Sequence, residues 1–359
     1  MSESGAAKQR MRAAVRGRRV LVTGAAGFIG SALVEMLAAW EPERLVLLDI
    51  AESGLQELAL NLDWRGTQVA HDEIVGDVCD GALLQETFAR YRPQVVLHAA
   101  ACKHVSLMER NPLTAAKTNV LGTHRVLTMA AAHGAEAVVV VSTDKAADPA
   151  SMMGATKRIA ELLARGYAGA TRMHAVRLGN VWGSTGSLVP VLERQIARGG
   201  PMTLTDAGCT RYFLPVAAAV DRILAALALG ESRAANFVCE VGEPRRIEEI
   251  AATLLRAAAA EGASIEVCWT GLRPGEKLTE AMAGRAERLS TGAVDGLHEL
   301  VESPQPEPAL LEAGVREIEA AVEARDLSRL VRAVRELAPE YTPSEALMKQ
   351  MQCATVVVA

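Results

Sequence analysis

From Arg19 onward, short runs of aliphatic and β-branched residues alternate with longer stretches whose apolar positions recur every three to four residues. Runs of the first kind mark buried strands, and stretches of the second kind mark helices with one buried face. The pattern predicts strands at 20–23, 45–49, 73–76, 95–98, 137–142 and 174–178. Helices fall between them at 29–39, 54–62, 81–91, 112–133 and 152–167. Strands joined by helical crossovers pair in parallel, and the helices cover both faces of the sheet. The predicted class is α/β, with a doubly wound parallel sheet over residues 19–180.

After Asn180 the regular spacing stops. Gly183, Gly186, Pro190, Gly199, Gly200 and Pro201 punctuate short segments, and helices at 215–229 and 247–260 surround single strands near Asn236 and Ile265. Residues 181–345 are expected to form a smaller C-terminal α/β substrate domain, partly interleaved with the first. Residues 1–18 carry Lys8, Arg10, Arg12, Arg16 and Arg18 without an evident apolar period, so a flexible, solvated basic leader is expected. Residues 346–359 are expected to be a tail.

Composition narrows the function. Half of the residues are hydrophobic, yet only four Phe, four Trp and four Tyr are present, so Ala, Val and Leu must fill the core. A net charge of −5 and the scarcity of rings argue against a nucleic-acid partner. The six cysteines form no CxxC pair and, with the histidines, no metal-ligand spacing; no metal is expected, and reduced thiols suit a cytoplasmic protein. No apolar run reaches the roughly 18 to 20 residues of a membrane helix, so no integral membrane segment is expected.

The first predicted strand runs into Thr23-Gly24-Ala25-Ala26-Gly27-Phe28-Ile29-Gly30, which opens the first helix. Such a turn lets the backbone approach a pyrophosphate at a helix N-terminus. This is the Rossmann arrangement, and Asp49 ends the second strand where it can accept hydrogen bonds from an adenosine ribose. A carboxylate there would repel a 2′-phosphate, which favours NAD over NADP. Asp77 and Val78, after the third strand, are placed to flank the adenine.

A short-chain dehydrogenase normally uses a tyrosine four residues before a lysine, so that both share one helix face. Four residues beyond Tyr91, Tyr167, Tyr212 and Tyr341 stand Val95, Thr171, Val216 and Glu345; none is a lysine. Met153-Gly-Ala-Thr-Lys157 occupies the expected place, and a thioether cannot exchange a proton. Either the chain binds nucleotide without catalysis, or its acid and base have moved. Ser142-Thr143-Asp144-Lys145, at the end of the fifth strand, supplies a hydroxyl, a carboxylate and an amine for the second reading.

These residues belong to a longer ordered set: His98-Ala-Ala-Ala-Cys-Lys103-His104 through Glu109-Arg-Asn111-Pro112, Lys117-Thr-Asn119, Ser142–Ala146, Met153–Arg158, Arg177–Asn180, Gly186–Pro190, Thr210–Phe213 and Arg273–Lys277. The set resembles the polysaccharide-biosynthesis UDP-N-acetylglucosamine 4,6-dehydratases, which are extended short-chain dehydrogenase/reductases. The resemblance covers about residues 19–280 and is weaker to about 345. It implies oxidation at carbon 4 of UDP-N-acetylglucosamine or a close UDP-sugar, loss of water across carbons 5 and 6, and reduction at carbon 6.

It further implies that Thr143 bonds the carbon-4 oxygen, Asp144 is the acid, Lys145 is the base at carbon 5 and Lys157 holds the nicotinamide ribose. Burial and neighbouring Lys157 are expected to lower the Lys145 pKa. Gly24, Ala26, Gly27, Phe28, Ile29, Gly30, Asp49, Asp77, Val78, Ala99, Ala100, Ala101, Asn119 and Lys157 would surround NAD. Lys103, His104, Asn180, Ser187, Leu188, Val189, Pro190, Arg211, Arg273 and Glu276 would meet the substrate. Methionine at 153 aligns the chain with a branch that retains configuration at carbon 5, mostly membrane-anchored enzymes; the shorter soluble branch keeps tyrosine and inverts. A homo-oligomer is expected. A UDP-sugar 4-epimerase, a variant stopping at an elimination product, and a non-catalytic NAD or UDP-sugar sensor are the alternatives.

Overall fold

The computed structural model describes residues 3–167, 169–184, 186–229, 234–260, 262–290, 295–301 and 307–357. Strands β1 (Arg19–Thr23), β2 (Arg44–Asp49), β3 (Ala70–Val75), β4 (Val95–His98), β5 (Ala137–Thr143) and β6 (Arg172–Leu178) lie in the order β3-β2-β1-β4-β5-β6, every pair parallel. Strand Ala234–Cys239 continues the sheet in parallel, and Leu297–Val301 and then Arg288–Leu289 add to it antiparallel. Among the described residues the sheet has nine strands. Strand order reverses between β1 and β4, which opens a crevice at the carboxyl ends where doubly wound sheets bind ligands. Thr23, His98 and Thr143 are the last residues of β1, β4 and β5 at that edge.

The strands next to the crevice are near-continuous apolar runs because helices cover both of their faces. β4 is buried throughout, and β1 is buried from Val20 to Thr23. Edge strand β3, with sequence AHDEIV, has no buried residue. One core packs Leu21, Val96 and Val138 against helices Gly81–Tyr91, Thr123–Ala132 and Met152–Arg165. The other packs Val20, Val22 and Val139 against helices Phe28–Ala38 and Val216–Ala228.

The expected leader is instead a helix, Glu3–Val15, whose Ala7, Met11 and Val15 are buried. These three recur every fourth residue, a narrow stripe hidden in the sequence by the arginines between them. Arg10 binds Asp295 through both carboxylate oxygens, and Arg12 and Arg16 reach Glu41. The expected tail is also helical, Glu345–Val357, with Leu347 buried; the side chains of 354–359 lie outside the described residues.

Residues 181–345 are divided differently from the expectation. A small third core of Leu192, Met202, Leu204, Ile247 and Ile250 joins helices Leu188–Ala197 and Ile247–Ala260 to paired strands Met202–Leu204 and Val267–Trp269. Strand Ala234–Cys239 belongs to the main sheet, and helices Pro308–Glu323 and Leu327–Leu337 pack into the first core. The predicted helix over 112–133 is broken by a wide π turn at Lys117–Gly122. Such insertions occur frequently at functional sites.

Candidate active site

The glycine turn leaves β1 with Gly24 at φ +70°. A Cβ there would lie 2.5 Å from Ala100 N, so only glycine lets the β1 and β4 termini meet. Gly24 N and Ala25 N donate to Leu48 O, and Ala99 N donates to Thr23 O at 2.9 Å. Asp49 Oδ2 accepts from Ala26 N and Oδ1 from Ala51 N, each at 2.9 Å. The aspartate thus pins the turn. Helix Phe28–Ala38 begins just after it, with Gly27 extended and no side-chain cap, which leaves first-turn N–H groups facing the crevice. Asp77 Oδ1 accepts from Cys79 N at 2.9 Å, whereas Val78 is buried in the core, so its side chain packs rather than lines the crevice.

Asn119 departs from its expected contact with the cofactor. Its Oδ1 accepts from Cys102 N at 2.8 Å, and its Nδ2 donates to Cys102 O and to Thr156 Oγ1, each at 3.0 Å. It clamps the loop after β4, which carries Ala99, Ala100 and Ala101, to helix Met152–Arg165. His98, which opens the His98–Pro112 motif but has no role assigned from sequence, stiffens the same wall. Thr123 Oγ1 gives its only hydrogen to Asn119 O at 2.7 Å, so it accepts from His98 Nε2 at 2.9 Å. His98 Nδ1 then accepts from Thr23 Oγ1 at 2.6 Å. Burial and, to a lesser degree, Lys157 push the His98 pKa down to about 3, which keeps the ring neutral.

At the end of β5, Asp144 is fully buried. Its Oδ1 accepts from Thr143 Oγ1 and from Lys145 Nζ, both at 2.9 Å, while Oδ2 is buried without a partner among the described residues. Lys145 Nζ also donates to Asn180 Oδ1 at 3.0 Å. Asn180, expected at the substrate, thereby joins the Thr143–Asp144–Lys145 cluster. Lys145 Nζ thus sits between the Asp144 carboxylate and the Asn180 amide oxygen.

On the adjoining helix, Ser151 caps Gly154 N at 3.1 Å, and Met153 is buried in the hydrophobic core. Lys157 is buried and has no hydrogen-bond or ion-pair partner among the described residues. Burial, only partly opposed by Glu161, pushes its pKa down to about 8. A depressed lysine binds more protons unfolded than folded at pH 8 to 10.5, so this penalty is complete below pH 8 and is relieved as pH rises through that window. In cofactor-free protein, Lys157→Met should therefore gain up to about 3 kcal/mol at pH 7 and little above pH 10.5. Urea unfolding at pH 7 and pH 10.5 measures this; equal gains at both would refute it.

The expected substrate residues cluster unevenly. Lys103 and His104 follow β4, and burial lowers both pKa values; Lys103 and Arg273 lower that of His104 further. A Cβ on Gly186 would lie 2.9 Å from His104 Cε1, so the Gly186–Ser187 turn abuts the imidazole. Ser187 precedes the helix formed by Leu188, Val189 and Pro190. Arg273 Nη2 and Nε reach Glu276 Oε1 at 2.6 and 2.9 Å. Arg211 is a correction: its Nη1 donates to Thr210 O and Leu278 O and its Nη2 to Lys277 O, so it anchors the 273–278 segment by its carbonyls.

Behind the site, Arg177 donates to Glu161 at 2.6 Å and to Glu287 at 2.8 Å, and Arg158 reaches Glu161, Glu287 and Glu340. Ser142 Oγ donates to Glu161 Oε1 at 2.7 Å, which joins this network to the residue before Thr143. Charged residues scattered over the chain gave no local pattern from which to expect it.

Residues 20–301 match the family described as polysaccharide biosynthesis protein. The chain is 39% identical over 276 residues to the "Probable polysaccharide biosynthesis protein EpsC" of Bacillus subtilis, a match over 76% of this chain and 46% of that protein. It therefore spans about half the length of that relative. It is 31% identical over 276 residues to the UDP-N-acetylglucosamine 4,6-dehydratase (inverting) of Campylobacter jejuni, over 74% of this chain and 77% of that enzyme. The structure of Thermus thermophilus UDP-glucose 4-epimerase in complex with NAD superposes with a TM-score of 0.62 at 26% identity, over 73% of this chain and 89% of that one. With a matched region that includes both the glycine turn and the Thr143-Asp144-Lys145 cluster, the chain belongs to the polysaccharide biosynthesis protein family.

Proposed function

We propose that the chain catalyses NAD-dependent 4,6-dehydration of UDP-N-acetylglucosamine, giving a UDP-4-keto-6-deoxy-N-acetylhexosamine. The observation that carries this reading is the buried Asp144 carboxylate just after β5, with one oxygen shared by Thr143 and Lys145 and the other unpartnered among the described residues. The glycine turn at Gly24 and the unpartnered Lys157 suit a dinucleotide's pyrophosphate and ribose. NAD, when bound, supplies a carrier that takes two electrons and a hydrogen from carbon 4 and returns them at carbon 6. Lys103, His104 and Arg273 are cationic or polar partners for the diphosphate, and Glu276 for the uridine ribose.

The proton path follows from the hydrogen bonds. Thr143 donates to Asp144, so its oxygen accepts from the sugar's carbon-4 hydroxyl, and that proton passes to Asp144. The protonated carboxyl then gives its proton to the departing carbon-6 hydroxyl, which leaves as water. Lys145, once its ammonium has released a proton, takes the proton from carbon 5 and later returns it there. After the cycle Asp144 is again a carboxylate and Lys145 a free amine, so the protons balance. Removal and return by one amine occur on one face, which gives retention, and Met153 needs no proton chemistry.

Product NMR in deuterated water tests the whole scheme. The expected product is a 4-keto-6-deoxy sugar with deuterium at carbon 5 and retained configuration, formed without added reductant. A 4-epimer with no label at carbon 5 would identify an epimerase, and ligand binding without product would identify a sensor.

A further inference from the structure

Lys277 closes the Arg273-Pro-Gly-Glu-Lys run, yet neither proposed nucleotide contact in that run, Arg273 or Glu276, involves it. Its Nζ donates to Ala147 O at 2.7 Å and lies 3.4 Å from Glu280 Oε2. Ala147 stands two residues after Lys145, in the segment that joins β5 to helix Met152–Arg165. An ammonium held between a carboxylate and a carbonyl makes a stronger, more directional contact than a neutral donor.

The same run presses on that segment a second time. Gly275, at φ +78°, is packed so closely that a Cβ would sit 2.8 Å from Ser151 Cβ and 2.9 Å from Glu109 Cγ. Ser151 caps the helix, and Glu109 Oε1 accepts from Met152 N at 2.6 Å. Thus the five-residue run carries the proposed nucleotide contacts at Arg273 and Glu276, and through Gly275 and Lys277 it touches the chain on either side of residues 148–150. Arg285 to Asp148 and Thr342 N to Pro149 O hold the segment independently, so loss of the lysine loosens one point of attachment.

We propose that Lys277 is a positioning residue: by holding the Ala147 carbonyl, it couples seating of a UDP-sugar on Arg273 and Glu276 to the placement of Asp144 and Lys145. The proposal rests on the dehydratase reading for its substrate. Lys277→Met, which keeps the stem and removes the donor, should lower kcat at least tenfold with KM for UDP-N-acetylglucosamine changed less than threefold. Lys277→Arg, which keeps a charged donor, should recover most of that loss. A tenfold rise in KM at unchanged kcat would make Lys277 a substrate ligand instead, and no change in either would end the proposal.

If Lys277→Met does not fold, Lys277→Leu, which also lacks a donor, carries the same expectations. Amide hydrogen exchange supplies a readout independent of turnover. UDP should slow exchange over both 144–154 and 187–204 in the wild type, but only over 187–204 in Lys277→Met. Equal protection of 144–154 in both proteins would overturn the coupling. Absence of keto product from the wild type would remove the dehydratase reading alone, because the exchange comparison still decides the role of Lys277.

Discussion

Lys145→Ala should lower turnover of UDP-N-acetylglucosamine by about a thousandfold while NAD stays bound, since a positioned acid or base contributes roughly 10² to 10⁴ in rate. The variant removes the amine proposed to act at carbon 5, and it leaves Asp144, fully buried, with Thr143 as its remaining hydrogen-bond donor. Asp144→Asn separates the two effects. The amide keeps the shape and an acceptor oxygen but cannot take the proton that Thr143 would relay, so it too should lose on the order of a hundredfold or more. Steady-state rates, with the NAD carried by the same samples released and quantified, decide the matter. A Lys145→Ala enzyme within tenfold of the wild type would show that the base lies elsewhere.

The largest expected loss of stability lies behind the site, at Arg177. Its guanidinium is 1% exposed and contacts Glu161, Glu287 and the carbonyl of Met282. Removing one partner of a buried ionic network strands the others without water, which costs about 3–5 kcal/mol. Arg177→Ala should therefore melt about 4–7 °C lower than the wild type. The Arg177 hydrogen bond and charge hold the Glu287 pKa below the usual carboxylate range despite burial. That stabilisation is complete above the unfolded carboxylate pKa and is lost as pH falls through the folded value, so the gap between the two proteins should narrow on acidification. Thermal melts at pH 7 and pH 4 test both parts. A drop of under 3 °C at pH 7 would mean that Arg158 alone neutralises Glu161 and Glu287.

Periodicity made the central fold legible because its determinants are local. Strands β1, β2, β4, β5 and β6 are apolar runs, and their helices carry one apolar face each, so β4 and helices Gly81–Tyr91 and Ile247–Ala260 fall at the residues the pattern predicts. Helix Glu3–Val15 was illegible because only Ala7, Met11 and Val15 mark its buried stripe, amid basic residues that pair with distant Asp295 and nearby Glu41. The C-terminal helices have clear apolar faces, but nothing local says that those faces return to the first core.

The chemistry shows the same split. Residue types at fixed spacing identified a nucleotide turn, ruled out all four tyrosines and singled out Thr143, Asp144 and Lys145, because a strand end or a helix face places neighbours by local geometry alone. Partnership is not local. That Asp144 shares one oxygen between Thr143 and Lys145, that Asn180 completes this cluster, that Asn119 and Arg211 spend their polar atoms on backbone, and that Lys277 reaches Ala147 were decided by segments up to 130 residues apart. Local sequence thus sets which residues stand at strand ends and on helix faces, while the fold sets which of them are paired, because hydrogen bonds depend on distances that only the folded chain sets.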